Sequence, residues 1–177
     1  MRLLAFAMLL GLIGEASACS LNASHEYGFS AGTAEPEPPV DVEIKSVTFI
    51  PSMGADDSCE GVGFIVVKLT GRPWRRLKQQ GFYVRPVAGV NDPGVFPEKP
   101  LAPDKSARGH VAVSWGWVQL TPDSDGHIRW RFEVVPVSRS GVLGAPVPVC
   151  VATDESCSEA EPKPDSSSAP KPLRGSA

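Results

Sequence analysis

The stretch that decides the fold is Ile128 to Thr153, IRWRFEVVPVSRSGVLGAPVPVCVAT. Its opening alternates. Ile128, Trp130, Phe132 and Val134 fall on one phase, and Arg129, Arg131 and Glu133 on the other. A period of two marks a strand with one face in a core and one in water. Ser138 to Pro146 is rich in turn formers and ends that strand. Val147, Val149 and Val151 then resume the alternation around Pro148. Proline lacks the N–H that a central strand must donate, so this last strand is predicted at a sheet edge.

Upstream, His110 to Leu120 alternates too. Val111, Val113, Trp115 and Trp117 share one face, and Ala112, Ser114 and Gly116 the other. Gly81 to Val87 and Gly63 to Thr70 read as further strands, the latter a continuous apolar run fit for a central position. In Asp41 to Ile50, Val42 and Ile44 lie on one phase and Val47 and Phe49 on the other. That slip predicts a bulge or bend. Trp74 to Gln80 has room for one short helical turn, and residues 88–109 read as mostly loop. The 177 residues include 17 Gly and 18 Pro, about a fifth of the chain against roughly 12% in average usage. Helical bundles and coiled coils are therefore excluded. The expectation is an all-β fold, an antiparallel two-sheet sandwich of about seven strands over residues 41–157.

The pattern of residues 128–153 resembles the last two strands of a fibronectin type III domain. There an alternating strand with an aromatic start leads through a Gly- and Ser-containing loop into a Pro-flanked edge strand. Gly81-Phe82-Tyr83-Val84-Arg85 is similar to the third strand of that family. The sequence departs from it in three places. Ile128 or Trp130 stands where the family has Tyr, the second strand lacks a core Trp, and the 88–109 loop is longer. The resemblance implies a fibronectin type III-like or immunoglobulin-like sandwich. It also implies that the start of the second strand and the end of the last lie together, with Cys59 near Cys150 and Cys157.

The two ends of the chain read differently. Arg2, the apolar run Leu3 to Ile13 and the small residues Ala16-Ser17-Ala18 have the order of a secretory signal peptide, residues 1–18. Ala16-Ser17-Ala18-Cys19 resembles a bacterial lipobox, which implies a lipid on Cys19 and a membrane held through that N-terminal anchor. Cleavage without lipid, leaving a secreted domain, fits the same residues. Under the lipid reading, Ser20 implies sorting to the cell outer membrane. Residues 19–40 read as a Pro-rich linker ending in Ala34-Glu35-Pro36-Glu37-Pro38-Pro39, and Asn22-Ala23-Ser24 is a glycosylation sequon in form. Residues 158–177, rich in Pro and Ser, read as a disordered tail.

Export permits disulfides among Cys19, Cys59, Cys150 and Cys157. A bridge from Cys59 to Cys150 or Cys157 is expected, closing a loop of roughly a hundred residues. Lipidation of Cys19 would leave one bridge and one spare thiol; without it, two bridges form.

The sequence holds no HExxH, no GxSxG and no phosphate-binding Gly-rich loop followed by Lys. Asp123-Ser124-Asp125-Gly126 opens like a calcium loop but lacks the later ligands, so a β-turn is expected there. No metal, no cofactor and no catalytic residue is expected. The net charge of −3 excludes a global field for nucleic acid. Two candidate binding features remain. Trp115 and Trp117 would form a sugar-stacking platform if exposed, or core if they continue the face of Val111 and Val113. Trp74-Arg75-Arg76 with Lys78 is a basic and aromatic stretch able to meet phosphate or an acidic partner. The expected role is binding or structural, in a bacterial envelope, toward an unknown protein or polysaccharide.

Overall fold

The structure is a computed structural model and describes residues 23–30, 36–53, 60–90, 93–104 and 109–157. Six strands form among them: β1 (Glu43–Ile50), β2 (Val62–Thr70), β3 (Gly81–Ala88), β4 (Val111–Val118), β5 (Arg129–Val137) and β6 (Val147–Ala152). They make two antiparallel sheets, ordered β1-β2-β4 and β3-β5-β6. About seven strands were expected, and the six that form among the described residues are the six whose stretches the sequence located. Residues 93–104, within the stretch read as mostly loop, contribute a 3-10 turn, Pro93–Val95, and isolated bridges at Leu101 and Asp104. The slip read in the first strand is a register shift between Ile44 and Ser46. β6, with Pro148, lies at the edge of its sheet.

The core lies between the sheets. Ile65, Val67 and Leu69 on β2 are fully buried, as are Val113 on β4 and Val134 on β5. At its centre Trp130 meets three rings: Trp117 at 5.0 Å, Phe49 at 5.4 Å and Phe96 at 5.4 Å. Trp115 packs edge-on against Phe132 at 5.7 Å. Such tilted and edge-to-face pairs add attraction beyond the area they bury. Phe96 and Val95 come from the loop, so the stretch read as connection also supplies core.

The sandwich has a seam along β3 and β4. Leu101 exchanges two backbone hydrogen bonds with Phe82 of β3, and the Asp104 N–H donates to the Ala112 carbonyl of β4. The N-terminal segment lies on the same seam. The Ser24 N–H donates to Ser114 O, Ala102 donates to His25 O, and Tyr27 donates to Pro100 O, at 2.7–2.8 Å. These bonds satisfy edge groups that would otherwise offer a template for pairing.

The segment then covers part of the outer face of β3 and β5. The Tyr27 ring sits against Gly81, where any Cβ would run into it. Gly81 is in register with Val137, and Tyr83 with Val135. Val135 and Val137 point away from the sheet interface, yet are only 3% and 1% exposed. Residues 36–42 form a second strap segment, with Val40 and Val42 buried. The described part of the expected spacer is thus fastened to the sandwich by hydrogen bonds and burial.

Candidate functional site

The helix α1 (Trp74–Leu77) follows Pro73, whose extended backbone and fixed ring suit the residue before a first helical turn. Leu77 is fully buried and pins the turn to the core. The basic and aromatic run is thereby split. Trp74 is half-buried beneath the Lys78 ammonium, 4.8 Å from the ring centre, and Arg75 is exposed. Arg76 faces the strap, with Nη2 2.9 Å from the Glu37 carboxylate and 2.6 Å from the Pro38 carbonyl.

Just past α1, Gln80 is buried at 3% exposure and acts as a clamp. Its Oε1 accepts from Val40 N–H at 2.8 Å, and its Nε2 donates to Val40 O at 3.2 Å. The Tyr27 hydroxyl donates to the Gln79 carbonyl at 2.6 Å. Burial raises the Tyr27 phenol above its ordinary 10.0, while the charge and hydrogen bond of Arg139 act to lower it.

A cleft of about 190 Å³ opens where these pieces meet the β5–β6 connection. Pro38 and Pro39 supply apolar lining, and the Glu37–Arg76 ion pair lines the cleft too. Arg139 and the Ser138 and Ser140 hydroxyls, 2.9 Å apart, supply polar groups from the connection. Ser138 is itself positioned by accepting from Val142 N–H at 3.1 Å. The cleft therefore carries two guanidinium groups and one carboxylate. Only Arg76 among its residues was singled out by sequence. Gln80 lies far in sequence from the adjacent Ser138 and Arg139, and no spacing motif joins them.

A second polar cluster sits at the opposite end of β5. Asp123 Oδ1 accepts from Asp125 N–H and His127 N–H, both at 3.0 Å, and Gly126 takes a φ of +79° in this turn. The turn expected over Asp123 to Gly126 is present. Arg129 gathers Asp123, Asp125 and Asp154 at 2.7, 3.1 and 2.6 Å. The His127 N–H holds Asp123 below the usual carboxylate range, and the Ser156 hydroxyl together with Arg129 does the same for Asp154. Among the described residues no three His, Cys, Asp or Glu side chains come together in a way that suits a metal.

Of the two readings of Trp115 and Trp117 the structure carries the core one, and the expected Cys59 bridge is corrected. Trp115 and Trp117 are 5% and 6% exposed, so they form core and no open sugar platform. They stay in phase with Val111 and Val113, and Trp117 Nε1 donates to Pro51 O at 3.1 Å. Cys150 is bridged to Cys157, with a Cα–Cα distance of 5.5 Å. The chain turns straight after β6 through the 3-10 turn Glu155–Cys157, which returns Cys157 to the strand end. This occupies both expected partners of Cys59. Cys19 and Cys59 lie outside the described residues.

Comparison of the chain with protein-family models, with curated proteins and with solved structures finds no match.

Proposed function

We propose that this chain is an exported, non-catalytic binding or structural module of the bacterial envelope, held to a membrane by lipid on Cys19. The observation that carries the reading is the Cys150–Cys157 bridge, a feature of proteins that mature in oxidising compartments. It agrees with the signal-like residues 1–18. The strand order supports a fibronectin type III-like or immunoglobulin-like sandwich. β1, β2 and β4 correspond to strands A, B and E of that plan, and β3, β5 and β6 to C, F and G. Residues 93–104, between β3 and β4, stand where strand D would run. At the Asp123 end of β5 the polar groups are committed to a turn and ion pairs: Asp123 to its own turn, and Arg129 to three carboxylates.

Ser24 bears on how the module would be carried. It is hydrogen-bonded to β4 and buried, five residues after Cys19. Five residues span at most about 18 Å. An anchor at Cys19 would therefore hold the sandwich close to the lipid surface.

Cysteine pairing favours one alternative, a soluble exported domain with a Cys19–Cys59 bridge. With Cys150 and Cys157 joined, the remaining pair is even. Intact mass of the mature chain from membranes and from culture fluid, after alkylation with and without reduction, separates the two. Acyl mass with one alkylated thiol, at Cys59, supports the anchor. No acyl mass and no alkylation without reduction would overturn it in favour of the soluble domain.

A further inference from the structure

The cleft between the strap and the β5–β6 connection has a composition that selects a ligand. Arg76 already engages a carboxylate, that of Glu37. Arg139 forms no ion pair among the described residues and stands by the Tyr27 hydroxyl. Among the described residues lining the cleft, two guanidiniums stand against one carboxylate, which leaves one positive charge for an incoming group. A singly charged anion balances it; a dianion would face Glu37. Arginine matches a carboxylate with two parallel donors, which fixes orientation as well as charge. Beside the charge, the Ser138 and Ser140 hydroxyls can donate and accept, and the Pro38 and Pro39 rings give an apolar wall. The volume of about 190 Å³ equals roughly six waters at liquid density. That suits a body the size of one sugar or one amino acid.

We propose that this cleft is a binding site for a small monocarboxylate on a polar body, with Arg139 as its charge partner and Ser138 and Ser140 as its hydroxyl partners. Two sources share this chemistry: a uronic acid sugar and the free carboxyl end of a short peptide. The inference rests on the binding-module reading for its purpose, but not on the lipid anchor. The mass measurement reads the anchor and the bridges, and a titration reads the cleft, so the two fail separately.

The test titrates the mature chain, followed by amide and arginine Nε signals in NMR, with D-glucuronate, N-acetylalanine and D-glucose. Saturable shifts at Arg139 and Ser140 with either acid, at about 10 mM or below, are expected. The acid that saturates names the source, and saturation by both makes the carboxylate the common determinant. Arg139→Gln, an exposed site, is expected to weaken binding at least about tenfold with the spectrum otherwise unchanged. Glu37→Gln is expected to bind as tightly or more so, because a competing carboxylate is gone. Glucose binding as well as glucuronate, neither acid saturating, wild-type binding by Arg139→Gln, or loss of binding by Glu37→Gln would each overturn the proposal.

Discussion

Between the sheets, the Trp130 side chain packs against the rings of Phe49, Phe96 and Trp117. Outside them, Ser24 is hydrogen-bonded to Asp104 and Ser114, Tyr27 to Gln79 and Val40 to Gln80. The two regions bury chain by different means. The interior gains from area removed from water, a non-directional term that tolerates many arrangements. The strap gains from a few directional bonds, each worth little net but costly to leave unmade. The interior should therefore fail as a unit, while the strap should fail piece by piece and leave the sandwich standing.

Trp130→Ala breaks the first half of that comparison most severely. It empties the meeting point of three rings and is expected to cost about 3–5 kcal/mol, read from the midpoint of urea unfolding. Unfolding should remain one transition; a separate early transition would show that the core is divided.

The β6 end offers an intermediate test. Replacing Cys150 and Cys157 together by Ser opens a seven-residue separation, worth about 2.5 kcal/mol in the loop-entropy model. Hydrogen exchange should rise first at the Glu155–Cys157 turn. An unchanged midpoint would mean that the Arg129 cluster already fixes that end.

Gln80→Leu sharpens the second half. It leaves the Val40 N–H and C=O without their partner and is expected to cost about 1–2 kcal/mol. The Val40 amide should lose exchange protection while the Ile65 and Val67 amides keep theirs. Equal loss at β2 would show that the strap is part of the core and not an addition to it.

The smallest effect is expected from acid. Asp123 and Asp154 are held below their ordinary value of 3.8 in the fold. The unfolded chain therefore takes up protons first as pH falls. The stabilisation is complete above about 3.8 and is lost as pH drops through the lowered folded values. Arg129→Gln removes a shared partner and should flatten that acid limb in denaturation midpoints taken from neutral pH down to about pH 2. An equally steep limb in the variant would assign the effect to the backbone donor of His127 and to Ser156 alone.

The interior was legible because its signal is local. Ile128, Trp130, Phe132 and Val134 announce an inward face at every second residue, and Pro148 announces an edge. Even the irregularity near Ile44 left a trace as a phase slip. The strap left one trace that spacing alone did not resolve. β5 changes from alternation to the continuous run Val134-Val135-Pro136-Val137, the pattern of a strand covered on both faces. What covers the second face is not written beside it. Tyr27 lies more than a hundred residues upstream of Val137, and it meets β3 because Gly81 has no side chain to hold it off.

The candidate cleft was legible only at Arg76. Its other polar groups are single residues of common type, and neither Ser138 nor Arg139 has a neighbour in sequence that marks it. The cysteines teach the same lesson. Their number set the pairings that could form, but the partner of Cys150 was decided by a tight turn after β6.

By itself, then, the sequence determined the strand content, the inward faces, the edge position of β6 and the turn at Asp123, all of which follow from side-chain periodicity and backbone preference within a few residues. The tertiary structure decided how Ser24 meets Asp104, how Gln80 meets Val40, how Arg139 comes to share a cleft with Arg76, and which cysteines join. The physical reason is range. Hydrophobic burial and strand propensity are repeated along every strand and leave a statistical pattern, whereas a polar contact between distant segments depends on one side chain at one distance, and that distance exists only after the sheets have packed.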